Sequence, residues 1–431
     1  MRFHPVLTVL AVLAVAALAA CSGSRPVLVR QDTVTRGNLV GAPVAIATVK
    51  AAELDAMAAA SGYRELTGSA RCDVTVAQVI YRTPGAQPSE MTSASAAVLV
   101  PSGIDCPGPF PLIAYGRGTT PFRSYAMANP RGPETIRLMT FFAAQGYAVV
   151  ATDYLGYARS SYPYHPYMHA DSEASSMVDS IRAARNAATA LGLPLNGKVM
   201  VTGYSQGGHA SMAAQRAIER DDRGEIDLVA AAHIAGPYSV SGALIDGVRN
   251  PILGVQALVP FQITSWQMVY GDVYDKVADV FKSPYDGYME TIFPTLLDEA
   301  ALYRMLPGGT PVQARDAMFK AAYLSDLADN PGNGTIVAAK RQDLLDWNPQ
   351  APTTLCGGRH DPTVKFPVNT MAAYSAFMSR GGADVFLVDV DERIHRKFSG
   401  VDPATYMGNY HAEYEPTFCL QVAKQAFDRH K

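Results

Sequence analysis

"KVMVTGYSQGGHASMAAQ", Lys198 to Gln215, sets a serine between glycines where a β-branched apolar run gives way to a helix-forming one. Gly203, Ser205 and Gly207 fit G-x-S-x-G. The pattern answers a mechanical need: the chain turns sharply from strand to helix and keeps one side chain exposed at the tip. Glycines remove the side chains that would clash in that turn, and Gly208 lets the helix approach the sheet. The serine then stands at a helix N-terminus, where the dipole and free N–H groups favour a developing oxyanion. The motif by itself recurs by chance, and a structural Gly-Ser turn is the competing reading. Here the strand "KVMVT" precedes it and the helix "HASMAAQ" follows, which is the context that makes Ser205 a nucleophile candidate.

The surrounding chain alternates strand and helix. "PLIAYG" (111–116), "YAVVATDY" (147–154) and "LVAAAHIAG" (228–236) read as apolar strands. "TIRLMTFFAAQ" and "SEASSMVDSIRAARNAATAL" read as helices, the latter with Met177, Ile181 and Ala184 on one face. Two earlier strands, "DVTVAQVIY" and "ASAAVLV", flank a Pro-Gly loop. Continuous apolar strands between amphipathic helices predict an α/β fold with a mostly parallel central sheet covered on both faces. The alternation stops at 237–349, a stretch with no clear strand and many aromatics and methionines. It resumes with "PTTLCGG", a helix from Asn369, "DVFLVDV" and a final helix from Pro416. An insertion of that length predicts a helical lid or cap subdomain. The domain scheme is 1–20 leader, 21–60 tether and lead-in helix, 61–236 with 350–431 core, and 237–349 insertion.

A serine hydroxyl needs a base, and the base an orienting acid. Downstream, "LCGGRHDPTV" places Asp361 past a strand end, with Asp389 and Asp391 as competitors and an Asp-Pro turn as the bland alternative. Two late histidines compete for the base. His395 lies in "DERIHRKF", which reads as a solvated loop, and His411 in "GNYHAEYEPTFCL", just before the last helix. His411 is preferred, since a loop entering the last helix reaches back over the sheet edge. His360 adjoins the acid and is expected to point away. His209 reads as packing or surface, and His165, His169 and His233 lack metal-ligand spacing. The expected oxyanion donors are the backbone N–H of Gln206 and one from "AYGRGTTP": Thr119 first, Gly118 second. Arg117 in that loop reads either as a substrate-facing charge or as a buried anchor. No metal and no organic cofactor is expected.

"GYSQGGHA", "DYLGYARS", "HPYMHADSEASSMVDSIRAAR", "GGRHDPTV" and "YHAEYEPTF" together resemble the α/β-hydrolase superfamily. Within it they look like the bacterial and fungal secretory lipase group related to lipase A of Candida antarctica. The resemblance spans the chain from about Asp73 onward. It implies Ser205, Asp361 and His411 as the triad, and a lid between the strand after the elbow helix and the acid-bearing strand. One departure is the oxyanion loop, where many relatives carry His-Gly and this chain carries Arg117-Gly118. The implied activity is hydrolysis of acyl esters through an acyl-enzyme. A peptidase or amidase, an acyltransferase and a catalytically silent ligand-binding lipoprotein are the rivals.

The chain opens "MRFHPVLTVLAVLAVAALAACSGS", a positive residue, an apolar run and small residues before Cys21. This is an export signal. It resembles a bacterial lipoprotein signal, which implies cleavage before Cys21, lipid on that cysteine and a membrane tether at the cell envelope. The remaining cysteines, Cys72, Cys106, Cys356 and Cys419, suggest two disulfides in an exported chain. Three connectivities are open. Pairing nearest neighbours, Cys72–Cys106 and Cys356–Cys419, is preferred. The net charge of −3, with 17% charged residues and no basic run, argues against a nucleic-acid partner. A small-molecule or lipid acyl ester is the expected partner.

Overall fold

The computed structural model describes residues 36–431. The expected leader and the Cys21 lipidation site lie outside them. Nine strands form one sheet: β1 (Val44–Val49), β2 (Asp73–Pro84), β3 (Met91–Ser102), β4 (Phe110–Gly116), β5 (Ala148–Tyr154), β6 (Leu195–Tyr204), β7 (Asp227–Ile234), β8 (Thr353–Gly357) and β9 (Val385–Asp389). Their spatial order is β1-β2-β3-β5-β4-β6-β7-β8-β9. The first three pairings are antiparallel, and every pairing from β5 to β9 is parallel. Every residue of β4, β5 and β8 is buried, as strands covered on both faces require.

Side-chain alternation divides the core. Ile113 and Tyr115 face the helices Pro133–Phe141 and Glu415–Phe427, through Leu138, Phe141 and Phe418. Leu112 and Ala114 face the helices Ala170–Leu191 and Gln206–Ala217, through Met177, Ile181 and Ala210. The sheet's C-terminal strand ends thus gather the loops after β4, β6 and β8 at one rim, where doubly wound sheets place their ligands.

Between β7 and β8 the chain forms helices from Val240 to Lys340, with nothing longer than an isolated bridge in extended form. Phe261, Trp266, Phe281, Met289 and Met318 are buried there in a cluster of their own, and Met268 is exposed. Most of these aromatics and methionines are therefore core.

Three local expectations change. Val44–Val49, read as tether, is an antiparallel edge strand on β2. Its exposed Val44 and Ile46 explain why no buried periodicity marked it. "DERIHRKF", read as a loop, is the helix Asp391–Phe398, which buries only Ile394. The terminal helix is preceded by a helix at Pro403–Asn409 and a π-helical turn at Tyr410–Tyr414, rather than by a loop. Both preferred disulfides form, with Cα–Cα distances of 5.2 Å for Cys72–Cys106 and 5.7 Å for Cys356–Cys419. Among the described residues no helix is long and apolar enough to cross a membrane.

Candidate active site

Ser205 follows β6 directly and adopts φ 58°, ψ −119°, a conformation rare for a residue with a side chain. Holding it costs about 1–3 kcal/mol. Its N–H donates to the Ile234 carbonyl at 2.9 Å, and its carbonyl accepts from Gly208 at 2.8 Å. The flanking glycines are demanded by contact. A Cβ at Gly203 would lie 2.1 Å from the Gly207 oxygen, and one at Gly207 would lie 1.8 Å from the Gly116 oxygen. A Cβ at Gly208 would meet the Ile234 oxygen at 2.5 Å, which is why the helix comes so close to the sheet.

Three distant segments converge on this tip. His411, in the π-helical turn, places Nε2 2.9 Å from Ser205 Oγ. Its Nδ1 lies 2.7 Å from Asp361 Oδ2, so Nδ1 carries the proton and Nε2 is free to accept one. Asp361 is fixed in turn by the N–H groups of Thr363 (2.8 Å) and Val364 (3.1 Å), which both donate to Oδ1. The Tyr204 hydroxyl donates to the His411 carbonyl. Burial pushes the His411 imidazole down, but the Asp361 charge and the hydrogen bonds to Asp361 and Glu415 outweigh it. The net effect is a pKa held above the ordinary histidine value.

His395 is exposed on its helix and takes no part. His360 turns away from Asp361 and pairs with Asp391 at 2.9 Å. Asp389 caps the turn after β9 and pairs with Arg359 at 2.8 Å. His165, His169, His209 and His233 are buried members of hydrogen-bond networks. His233 lies between Ser211 and Gln215, each at 2.7 Å, and His169 bonds Ser172 at 3.0 Å. His209 bonds Glu173 at 2.6 Å and the Gln342 carbonyl at 2.9 Å. His165 donates from Nδ1 to the Leu155 carbonyl and accepts at Nε2 from the Gln206 amide, 2.7 Å away. Burial, with Arg117 nearby, keeps His165 neutral.

Gln206 is therefore clamped from behind by His165 and Glu173, the latter at 2.8 Å. As the first residue of its helix, its backbone N–H has no intrahelical acceptor. In the loop after β4, the Gly118 N–H already donates to Glu134 at 2.9 Å, which makes Gly118 a poor second donor. Arg117 is a buried anchor. Its guanidinium lies 4.1 Å from the Tyr157 ring centre and donates to the carbonyls of Gly118 and Asp153.

Sequence reasoning missed Glu415, fully buried and 3.2 Å from His411 Nδ1. The signal was present as an i, i+4 spacing, but it shows only once the helix is known to begin before His411. Burial and the neighbouring Asp361 push the Glu415 carboxyl well above the usual range. Among the described residues, Asp361, His411 and Glu415 are also the group whose ligand atoms lie close enough, within 4.8 Å, to hold a metal ion.

A pocket opens at Ser205 and Gln206 and runs along the insertion, walled by Val240, Leu244, Val255, Leu258, Leu324 and Leu327. Its charged wall residues are already paired. Lys365 lies 2.6 Å from Asp246, and Arg315 donates to the Val248 carbonyl and pairs with Asp316.

Residues 132–254 match the Secretory lipase family. The rice cell wall degrading esterase LipA from Xanthomonas oryzae is 33% identical, with 92% of this chain covering 100% of that one at a TM-score of 0.82. A putative hydrolase of Legionella pneumophila, at 20% identity, 91% and 97% coverage and TM-score 0.78, shares the fold. So does Candida antarctica lipase A in its closed state, at 15% identity, 89% and 85% coverage and TM-score 0.57. No curated protein matches the chain.

Proposed function

The chain belongs to the LipA-type esterase and lipase family of the α/β-hydrolase superfamily and is a serine hydrolase, and we propose that it cleaves carboxylic esters with Ser205, His411 and Asp361 as its triad. The observation that carries this reading is the unbroken hydrogen-bond line from Ser205 Oγ through the His411 ring to Asp361. His411 Nε2 takes the serine proton as Oγ attacks the acyl carbonyl, and returns it to the leaving alcohol. Asp361 holds the ring tautomer and stabilises the imidazolium. Water, activated by the same histidine, then releases the acid. The N–H groups of Gln206 and Thr119 receive the oxyanion, which in related chemistry is worth about 3–4 kcal/mol per donor.

The apolar pocket supports an acyl chain as the part of the substrate beside Ser205, and the insertion at 237–349 serves as the cap that shields it. Because Lys365 and Arg315 already have partners, the pocket offers no free cation to a peptide carboxylate, which favours an ester over a peptide. The leader and Cys21 support export with an N-terminal lipid tether.

The test is turnover of p-nitrophenyl esters of rising chain length beside a peptide anilide, with a fluorophosphonate probe for the nucleophile. Esters are turned over and the probe labels the wild type. Ser205→Ala loses labelling and about 10⁴-fold or more in kcat, with the fold intact by circular dichroism. Preference for the anilide, or undiminished labelling of the alanine variant, overturns the proposal.

A further inference from the structure

His411 Nδ1 has one proton and two carboxyl acceptors, Asp361 Oδ2 at 2.7 Å and Glu415 Oε2 at 3.2 Å. The two carboxyls are not equally supported. Asp361 receives two backbone N–H groups in addition to the imidazole. Glu415, wholly buried in the first turn of the terminal helix, receives one, from Gly358 at the end of β8. Among the described residues no lysine or arginine hydrogen-bonds either carboxyl. Two carboxyl groups thus meet at one ring nitrogen in a buried site, where like charges repel, and one of them keeps its proton. Asp361 has the richer set of donors, the arrangement that suits a carboxylate. Burial and the Asp361 charge both hold Glu415 in its protonated form.

The other titratable groups around Glu415 are the phenols of Tyr204, Tyr238 and Tyr410. Burial raises all three, so they stay neutral. The Tyr410 hydroxyl donates to Asp391, the first residue of the helix Asp391–Phe398.

Resting on the triad reading above, we propose that Glu415 is a reserve acid for His411. It is neutral while Asp361 is charged, and it takes over the Nδ1 proton when the Asp361 charge is removed. The proton balance is simple. In the wild-type cycle Glu415 keeps its proton, Nδ1–H points to Asp361, and only the serine proton moves, to Nε2 and on to the leaving alcohol. With asparagine at 361 the like charge is gone, Glu415 releases its proton to solvent, and the resulting carboxylate accepts Nδ1–H. The ring then stays in the tautomer that leaves Nε2 free, which is the function whose loss makes triad-acid amidation costly. Glu415 is a positioning residue, since it acts through His411 and not on the substrate.

The experiment measures kcat for p-nitrophenyl butyrate in Asp361→Asn, Glu415→Gln and the double variant, and records the downfield Nδ1 proton signal of His411 by NMR. Asp361→Asn falls only about 100-fold, where an unsupported triad loses about 10⁴. Glu415→Gln alone loses less than about tenfold, and the double variant falls about 100-fold below Asp361→Asn, so the two changes are strongly non-additive. The Nδ1 signal persists in Asp361→Asn. A double variant no slower than Asp361→Asn overturns the proposal. So does a missing Nδ1 signal in folded Asp361→Asn, which decides the matter if the double variant does not fold. Full activity in Asp361→Asn and in the double variant alike overturns the triad reading as well, whereas a slowed Asp361→Asn with an equally slow double variant overturns this proposal alone.

Discussion

At the residue scale the site is a problem of placing one proton. In the proposed triad His411 must be neutral to accept the Ser205 proton, yet two carboxyls stand behind it and raise its affinity for a second proton. A raised pKa means the ring is protonated, and inactive as a base, up to a higher pH than a free imidazole. The acid limb of kcat/KM for ester hydrolysis is therefore expected to have its midpoint above the ordinary value of 6.5, with activity rising as pH increases through it. A pH–rate profile whose acid limb falls below 6.5 would show that the carboxyls do not raise the affinity of His411 for a proton. Residue chemistry also decided Arg117. Its type and place in the oxyanion loop were visible in the sequence, but only the packing of Tyr157 beneath it made it an anchor.

At the scale of elements, the strand–elbow–helix unit was the most legible part of the chain, because its requirements are local. The turn needs no Cβ at 203 and 207, and the sequence supplies none there. Gly207→Ala drives a methyl into the Gly116 carbonyl and is expected to cost about 3 kcal/mol or more in urea denaturation, with activity lost. Gly224→Ala, where a Cβ meets nothing within 4 Å, is the control and is expected to stay near wild type. Wild-type stability in Gly207→Ala would show that the loop after β4 moves aside. Other elements were harder to read. The helix Asp391–Phe398 buries one residue and shows almost no apolar stripe, so its charge suggested a loop. The π-helical turn that carries His411 has no periodicity of its own. For the same reason the i, i+4 relation to Glu415 was missed.

At the scale of the molecule, the Cys356–Cys419 bridge ties the end of β8, which leads to Asp361, to the terminal helix that carries Glu415 and follows His411. The Cys72–Cys106 bridge lies at the antiparallel part of the sheet, between the residue before β2 and the β3–β4 loop. Each closes a long loop and on chain entropy contributes about 4 kcal/mol. Replacing either pair by serine is expected to lower stability by a similar amount. Only loss of Cys356–Cys419 is expected to lower kcat as well, by about tenfold or more, because Asp361 and His411 then drift relative to each other. Equal kcat in the two double-serine proteins would show that packing alone holds the triad.

The parallel sheet and the elbow with Ser205 at its tip were legible in the residues alone, because each follows from local periodicity or from a turn that only certain residues can make. Only the packed chain shows that His411 meets Ser205 and Asp361 meets His411, that Gly118 is already engaged, and that Glu415 also stands beside the ring. Those facts depend on which strand ends and helix turns lie within about 3 Å of one another, the reach of a hydrogen bond. Segments some 150 to 200 residues apart meet at that range only after the sheet has ordered its strands.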